Sequence, residues 1–352
     1  MSQRLYAAVV AGVLFVALIV AAFALPVPYV VYSPGVTVDV LGERDGKEII
    51  QVSGHQTYRD DGEMRMTTVY VTRPGRGVGL VDAVEAWLDD EKAIYPYDAV
   101  YAPDETEEDS RRESAVQMVS SQDAAIATAL QELGYDTKPV IEVLDVTAGL
   151  PADGKLKVRD VLVQIGDTKV TTPQSVVDAV DAAPADKPLR FVVLRDGKRT
   201  TVEVTPTVVD GDKRIGIVPG PGFEFPFDVH VGIPDSIGGP SAGLMFSLAI
   251  YDTLTPGSLT GGADIAGTGT VTAAGKVGPI GGIQQKIVAA RDAGASLFLV
   301  PAGNCDEALG APHGDMRLVK ATTMHGALTA VQAWTADHDA DLPACTSSKA
   351  AG

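Results

Sequence analysis

From Tyr6 to Leu25 the chain runs without a single charge, YAAVVAGVLFVALIVAAFAL. A helix rises about 1.5 Å per residue, so about 20 such residues span a hydrocarbon core, and the rest of the fold must hang from one candidate membrane crossing. The amino terminus and Arg4 lie before the run, and the next basic residue is Arg44. The positive-inside rule therefore leaves the short leading tail in the cytoplasm and puts everything after Leu25 outside. A cleaved signal peptide is the competing reading, because Ala22-Phe23-Ala24 fits the small-x-small pattern; the run is longer than the usual apolar region of about 7–15 residues, which favours a retained anchor. Either reading exports the remainder.

The chain has 352 residues, enough for two compact domains after the anchor. Its formal charge of −18 argues against nucleic-acid partners, since Lys and Arg supply phosphate affinity and no basic stripe is present. Only Cys305 and Cys345 occur, so neither a disulfide framework nor a CxxC metal site can be built; one bridge between them and two free thiols are both compatible with the sequence. The five histidines show no ligand spacing such as HExxH. Metal ions and cofactors are not expected.

Local patterns divide the exported part. GEMRMTTVYVT (62–72) alternates as a strand, and LVDAVEAWLDD (80–90) has apolar residues at helical spacing. The acidic run Asp104–Asp109 reads as a solvated loop before a helix that begins near Ser114 and runs towards Gly134. Next come the apolar run 139–146, DVLVQIGDTKV (160–170) and a helix PQSVVDAVDA (173–182). Two alternating segments follow, Leu189–Arg195 and Lys198–Val204, around the turn pair Asp196-Gly197. This order, with the block AGLPADGKLKVRDVLVQIGDTKV, resembles a bacterial PDZ domain. Such a domain binds an extended peptide along an open sheet edge, and Leu133-Gly134-Tyr135 is the candidate carboxylate-binding loop by its position before the first strand.

Two later segments carry the chemistry. FDVHVGIPDSIGGPSAGLMFSLAIYDTL puts Ser241 near the start of an apolar helix, after a loop with Gly238 and Gly239 and just before Gly243; these glycines leave room for a substrate backbone to approach. Free N–H groups at a helix start favour a developing oxyanion. A bland role for Ser241 is an N-cap. GTGTVTAAGKVGPIGGIQQKIVAARDAG ends in a helix whose Ile283, Ile287 and Ala290 form a buried stripe, with Lys286 beside it and small residues Ala290 and Ala293 on its own side. Desolvation there lowers a lysine pKa, and only the neutral amine accepts a serine proton. The bland alternative is an exposed helix charge. Lys276, in a turn, is the rival lysine.

Together, Gly239-Pro240-Ser241-Ala242-Gly243 and Pro279-Ile280-Gly281-Gly282-Ile283-Gln284-Gln285-Lys286 resemble the proteolytic domain of Lon-type peptidases, a likeness that runs from about Phe227 to Val331. The resemblance implies Ser241 as nucleophile, Lys286 as general base and Thr268 as the hydroxyl that orients the amine. Backbone N–H groups around Gly239, Ser241 and Ala242 would form the oxyanion hole. Many Lon enzymes carry an acidic residue three positions before the serine, where this chain has Gly238, and Asp235 is too far to stand in. No GxxxxGK[ST] occurs, so an ATPase module is not part of the sequence. Anchor, PDZ-like part and Lon-type part in that order resemble the membrane-anchored PDZ–Lon peptidases of bacteria.

The implied fold is α+β, divided into an anchor (1–30), a segment packing with the Lon-type part (31–130), a PDZ-like part (131–208), the Lon-type part (209–340) and a tail (341–352). Implied partners are polypeptide substrates, the membrane and, because Lon-type domains commonly form rings, further copies of the chain. Two other readings stay open. GxSxG also marks the nucleophile elbow of α/β-hydrolases, with Asp292 or Asp306 and His313 or His325 completing a triad, although residues 234–238 read as loop where an elbow needs a strand. The other is an inactive surface scaffold that uses only its peptide-binding part.

Overall fold

The structure is a computed structural model that describes residues 3–24, 26–209, 211–234 and 236–346, with the side chains of 21–24 outside the described part. Gln3–Ala24 forms one helix. Its stretch Gln3–Val20 has mean hydropathy 2.1 and none of it is buried against the rest of the chain, so it is long and apolar enough to cross a membrane. Leu25, the last residue of the uncharged run, lies outside the described residues.

Beyond the helix, three hydrophobic clusters organise the described residues: one with Ala266, Ile283, Ile287, Phe298 and Val300 packs helix Ile283–Asp292, and two larger ones set the architecture. The larger belongs to a six-stranded mixed sheet, whose order is Arg317–Ala321, Leu297–Pro301, Asp264–Gly267, Glu63–Val71, Tyr29–Asp39 and Ala93–Pro96. Glu63–Val71 is the junction. It runs parallel to Asp264–Gly267 on one side and antiparallel to Tyr29–Asp39 on the other. The early segment is thus part of the same layer as the late one. The core beneath mixes Val40, Met64, Met66, Ile126 and Leu130 with Leu244, Phe246, Leu299 and Val331. Helices Glu107–Glu132, Gly243–Leu254 and Met324–Ala336 contribute to it.

The second core fills an antiparallel sheet in the order Lys198–Val204, Leu189–Arg195, Val161–Ile165, Lys138–Val146 and Ile217–Glu224. The hairpin turns at Asp196 (φ 50°) and Gly197 (φ 69°), both left-handed as the sequence demands. Helix Pro173–Ala182 starts at Thr172, whose side chain accepts from Ser175 N–H while the Ser175 hydroxyl returns the favour at the Thr172 backbone. Ile217–Glu224, the start of the Lon-type part by the sequence reading, pairs with Lys138–Val146, with one register shift, and forms one edge of this sheet.

One sequence reading changes and one open alternative is decided. The acidic run is not all loop: Thr106 caps the long helix, and Glu107, Glu108 and Asp109 make its first turn. There the positive end of the helix dipole offsets the like-charge repulsion that argued for a loop. The two cysteines are joined, Cys305 to Cys345, tying the segment after Pro301 to the carboxy-terminal stretch.

Candidate active site and peptide groove

Ser241 stands two residues before the first residue of helix Gly243–Leu254, and the cap position falls to Ala242, so Ser241 is not the N-cap. Gly239, at φ +86°, makes the left-handed turn that lifts the serine. The neighbouring glycines serve the protein and not a substrate. A Cβ at Gly238 would sit 2.6 Å from Ser114 Cβ, and one at Gly243 would meet Ser121 Oγ and Val271 Cγ1 at 3.0 Å. Both close approaches let the long helix Glu107–Glu132 lie against the serine loop. Two hydrogen bonds hold it there: Gly239 N–H donates to the Ser114 carbonyl (2.9 Å), and Ser121 Oγ donates to the Pro240 carbonyl (3.0 Å).

Lys286 arrives from helix Ile283–Asp292, with Ile283, Ile287 and Ala290 buried beside it. Asn304 fixes the loop before that helix, accepting from Ile280 N–H and donating to the Ile280 carbonyl, each at 2.9 Å. Lys286 is only 2 % exposed, and its Nζ lies 2.6 Å from Ser241 Oγ. Burial alone pulls the amine down from 10.5 to about 7. Lys276, the rival, is exposed in its turn.

Thr268, fully buried, completes the cluster. Its hydroxyl donates to the Ser241 carbonyl at 3.0 Å and accepts from Lys286 Nζ at 3.1 Å. Because the hydroxyl hydrogen is committed to the carbonyl, Thr268 can only accept from the amine. That fixes one amine N–H on Thr268 and leaves the lone pair of the neutral amine free to face Ser241.

Of the expected oxyanion donors, Gly239 is withdrawn by its bond to Ser114, while Ala242 N–H has no partner among the described residues. Among the described residues no histidine bonds Ser241: His313 Nδ1 bonds the Met316 carbonyl, and His325 Nδ1 bonds the Glu132 carboxylate. The strand before the loop, Asp228–Val231, also ends well short of Gly239, unlike a nucleophile elbow. Asp235 lies outside the described residues.

A second site lies on the antiparallel sheet. Ile217–Glu224 has one strand neighbour, and its open side faces helix Pro173–Ala182. Between them runs a cleft of about 500 Å³ lined by Val176, Val180, Ile215, Gly216, Ile217 and Arg112. An edge strand beside a helix is the geometry that accepts an extended peptide. Gly216, at φ +83°, forms the turn that leads into the strand, and no residue with a Cβ fits there against Leu150. The sequence reading put the carboxylate loop at Leu133-Gly134-Tyr135. That segment instead ends the long helix, where the Tyr135 hydroxyl bonds His55 Nε2 at 2.8 Å and the ring packs on Phe227, away from the cleft. The Arg214-Ile215-Gly216-Ile217 turn was the signal available in the sequence.

Where the two cores meet, Asp123 of the long helix and Glu142 of strand Lys138–Val146 are both buried. Arg159 Nη2 lies 3.1 Å from Asp123 Oδ1 and 2.8 Å from Gln122 Oε1. Asp123 Oδ2 and Glu142 Oε1 would both be orphaned if both carboxyls were ionised. One proton held between them satisfies both, and burial, then Asp123, push Glu142 well above the usual carboxylate range.

The comparisons with known proteins follow this geometry. The family described as Lon protease (S16) C-terminal proteolytic domain matches residues 212–330, and the PDZ domain family matches 106–205. Lon protease of Campylobacter concisus is 35% identical over 109 residues, covering 29% of this chain and 13% of that protein. Lon protease 1 of Thermus thermophilus is 37% identical over 89 residues, covering 24% and 11%. The chain thus spans little more than a tenth of the length of these curated relatives. Among solved structures, the PDZ domain of an SdrC-like protein from Listeria innocua aligns with TM-score 0.22 and 22% identity, over 23% of this chain and 92% of that one. The chain carries a Lon-type serine peptidase domain and a PDZ domain. The PDZ match begins at the long helix, whose buried residues nevertheless pack in the larger core.

Proposed function

We propose, taking the Lon-type domain as premise, that this chain is an ATP-independent serine endopeptidase with a Ser241–Lys286 dyad, cleaving exported or membrane polypeptides outside the cytoplasm. The observation that carries it is the 2.6 Å contact between Ser241 and a lysine shielded from water. Lys286 as neutral amine takes the Ser241 proton, and Oγ attacks a peptide carbonyl. Ala242 N–H, at the positive end of its helix, receives the oxyanion. Lys286 then returns the proton to the leaving amine, and activates the water that releases the acyl group. Thr268 keeps the amine aimed throughout.

The smaller unit holds the substrate. A peptide laid along Ile217–Val218 adds a strand to the sheet, with its end at the Ile215-Gly216 turn. Pro219 and Pro221 lack N–H groups, so the pairing reaches only a few residues. Arg112 Nε bonds Asp145 at 2.7 Å, while its terminal amino groups and the buried Thr147 hydroxyl have no partner among the described residues. These are the donors suited to a terminal carboxylate. We propose domain boundaries accordingly, with 138–224 as the peptide-binding unit set between two stretches of the catalytic one. Extracytoplasmic placement rests on Arg4 in the first turn of the apolar helix, ahead of its uncharged run, and on the Cys305–Cys345 bridge, which an oxidising compartment maintains.

The test uses the full chain in detergent with β-casein as an unfolded probe and no nucleotide. Wild type should cleave it, His313→Ala and His325→Ala should do so equally, and Ser241→Ala should not. Wild type that is indistinguishable from Ser241→Ala would leave only a tethered scaffold.

A further inference from the structure

Helix Leu80–Leu88 is built the wrong way round for a protein in water. Its buried residues are the small Ala83 and Ala86, while Leu80, Val81, Val84, Trp87 and Leu88 point outward. Trp87 is 73% and Leu88 69% exposed. At 3.6 residues per turn these five fall on one arc of about 120°, and Asp82 and Glu85 lie to one side of it. An apolar stripe of that size on a short helix is a surface awaiting a partner.

Its position names the partner. Pro26 and Val27, the first described residues after the anchor helix, pair antiparallel with Gly79 and Val78, immediately before Leu80. The stripe therefore starts where the chain leaves the apolar helix. Tyr29, 40% exposed, is close by in sequence, and Trp and Tyr are the residues favoured at the headgroup level.

We propose that the outward face of Leu80–Leu88 lies in the headgroup region of the bilayer beside the anchor and fixes the catalytic unit against the membrane. This rests on the anchor reading. A helix of this kind sinks its apolar face into the boundary between headgroups and acyl chains, while Asp82 and Glu85 stay in water. The chain then has two membrane attachments, one spanning and one lying flat, and the body cannot swing freely on its anchor.

The experiment uses the full chain in phosphatidylcholine vesicles, with lipids brominated either near the headgroup or near the chain end. The sequence has two tryptophans, and Trp334 is buried in the larger core, so the difference between wild type and Trp87→Phe isolates Trp87. We expect that difference emission to fall about twofold with shallow bromines and less with deep ones. No quenching by either lipid, in protein that floats with the vesicles, overturns the proposal and leaves the anchor intact. Emission that ignores bromine but shifts with protein-to-lipid ratio also overturns it, because a second copy then covers the face. Protein that fails to float sinks the anchor reading and this one with it.

Discussion

Two buried ionisable centres in this molecule meet opposite fates. Lys286 is surrounded by apolar packing and two hydroxyls, and burial alone displaces its pKa. Glu142 is buried too, but Asp123 and Arg159 share its surroundings, with the exposed His230 near Arg159. The first centre keeps an amine with its lone pair unspent, as the proposed mechanism needs of a base. The second spends its groups on each other and joins two cores. Burial alone does not mark a catalytic group; burial without a charge partner does.

The comparison breaks hardest at the lysine. Lys286→Met should lower peptidase activity by about 10⁴-fold or more, matching Ser241→Ala, as expected of groups acting as one unit. It should also make the protein more stable at neutral pH. The folded pKa of about 7 lies below 10.5, so the folded state binds fewer protons than the unfolded chain between those limits. Stability from the neutral amine is present above pH 10.5 and is lost as pH falls through about 7. Removing the amine removes that penalty, on the order of a few kcal/mol near pH 7. A Tm for Lys286→Met at or below wild type at neutral pH would contradict a dry lysine.

The same displacement sets the activity profile. kcat/KM should climb about tenfold per pH unit below the midpoint near 7 and then level off. A profile flat from mildly acidic to alkaline pH would remove Lys286 as the base. Thr268→Val should cost roughly 10- to 100-fold in kcat with KM little changed, and Thr268→Ser should restore most of it.

At the acid pair the signs reverse. Glu142→Gln should leave peptidase activity within about twofold, because the amide keeps the shape of a protonated carboxyl and a donor for Asp123. Glu142 is displaced upward, so its stabilisation is complete below the ordinary carboxylate range and is lost as pH rises through the displaced value. Thermal melts of the amide variant should therefore depend less on pH above neutrality than those of wild type. At the groove the effect falls on binding and not on cutting, and belongs to Arg112→Gln. It should weaken binding of a peptide with a free carboxylate by about tenfold and leave its carboxy-terminal amide unchanged, read by fluorescence anisotropy in the Ser241→Ala protein.

How far these regions could be read from sequence follows the range of their contacts. The hairpin 189–204 and the helix 173–182 were legible because turn, cap and alternation are local. Ser241 and Lys286 were legible as a pair of motifs. The groove was not: Ile217–Glu224 carries Pro219, Gly220, Pro221 and Gly222, which read as loop, and it becomes a strand only through Lys138–Val146. Gly238 and Gly243 were read as room for substrate, whereas Ser114 and Ser121, distant in sequence, occupy that room. The cysteine pairing likewise waited on a fold that brings Cys345 back to Cys305.

The junction strand Glu63–Val71 has a consequence for how the molecule is born. Its parallel neighbour Asp264–Gly267 leaves the ribosome long after it, while everything the PDZ sheet needs is contiguous and pairs early. A nascent chain can therefore complete its PDZ sheet before the mixed sheet of the Lon-type part. Ser241 and Lys286 sit on either side of Asp264–Gly267 in sequence, so their contact belongs to the late-formed half of the molecule.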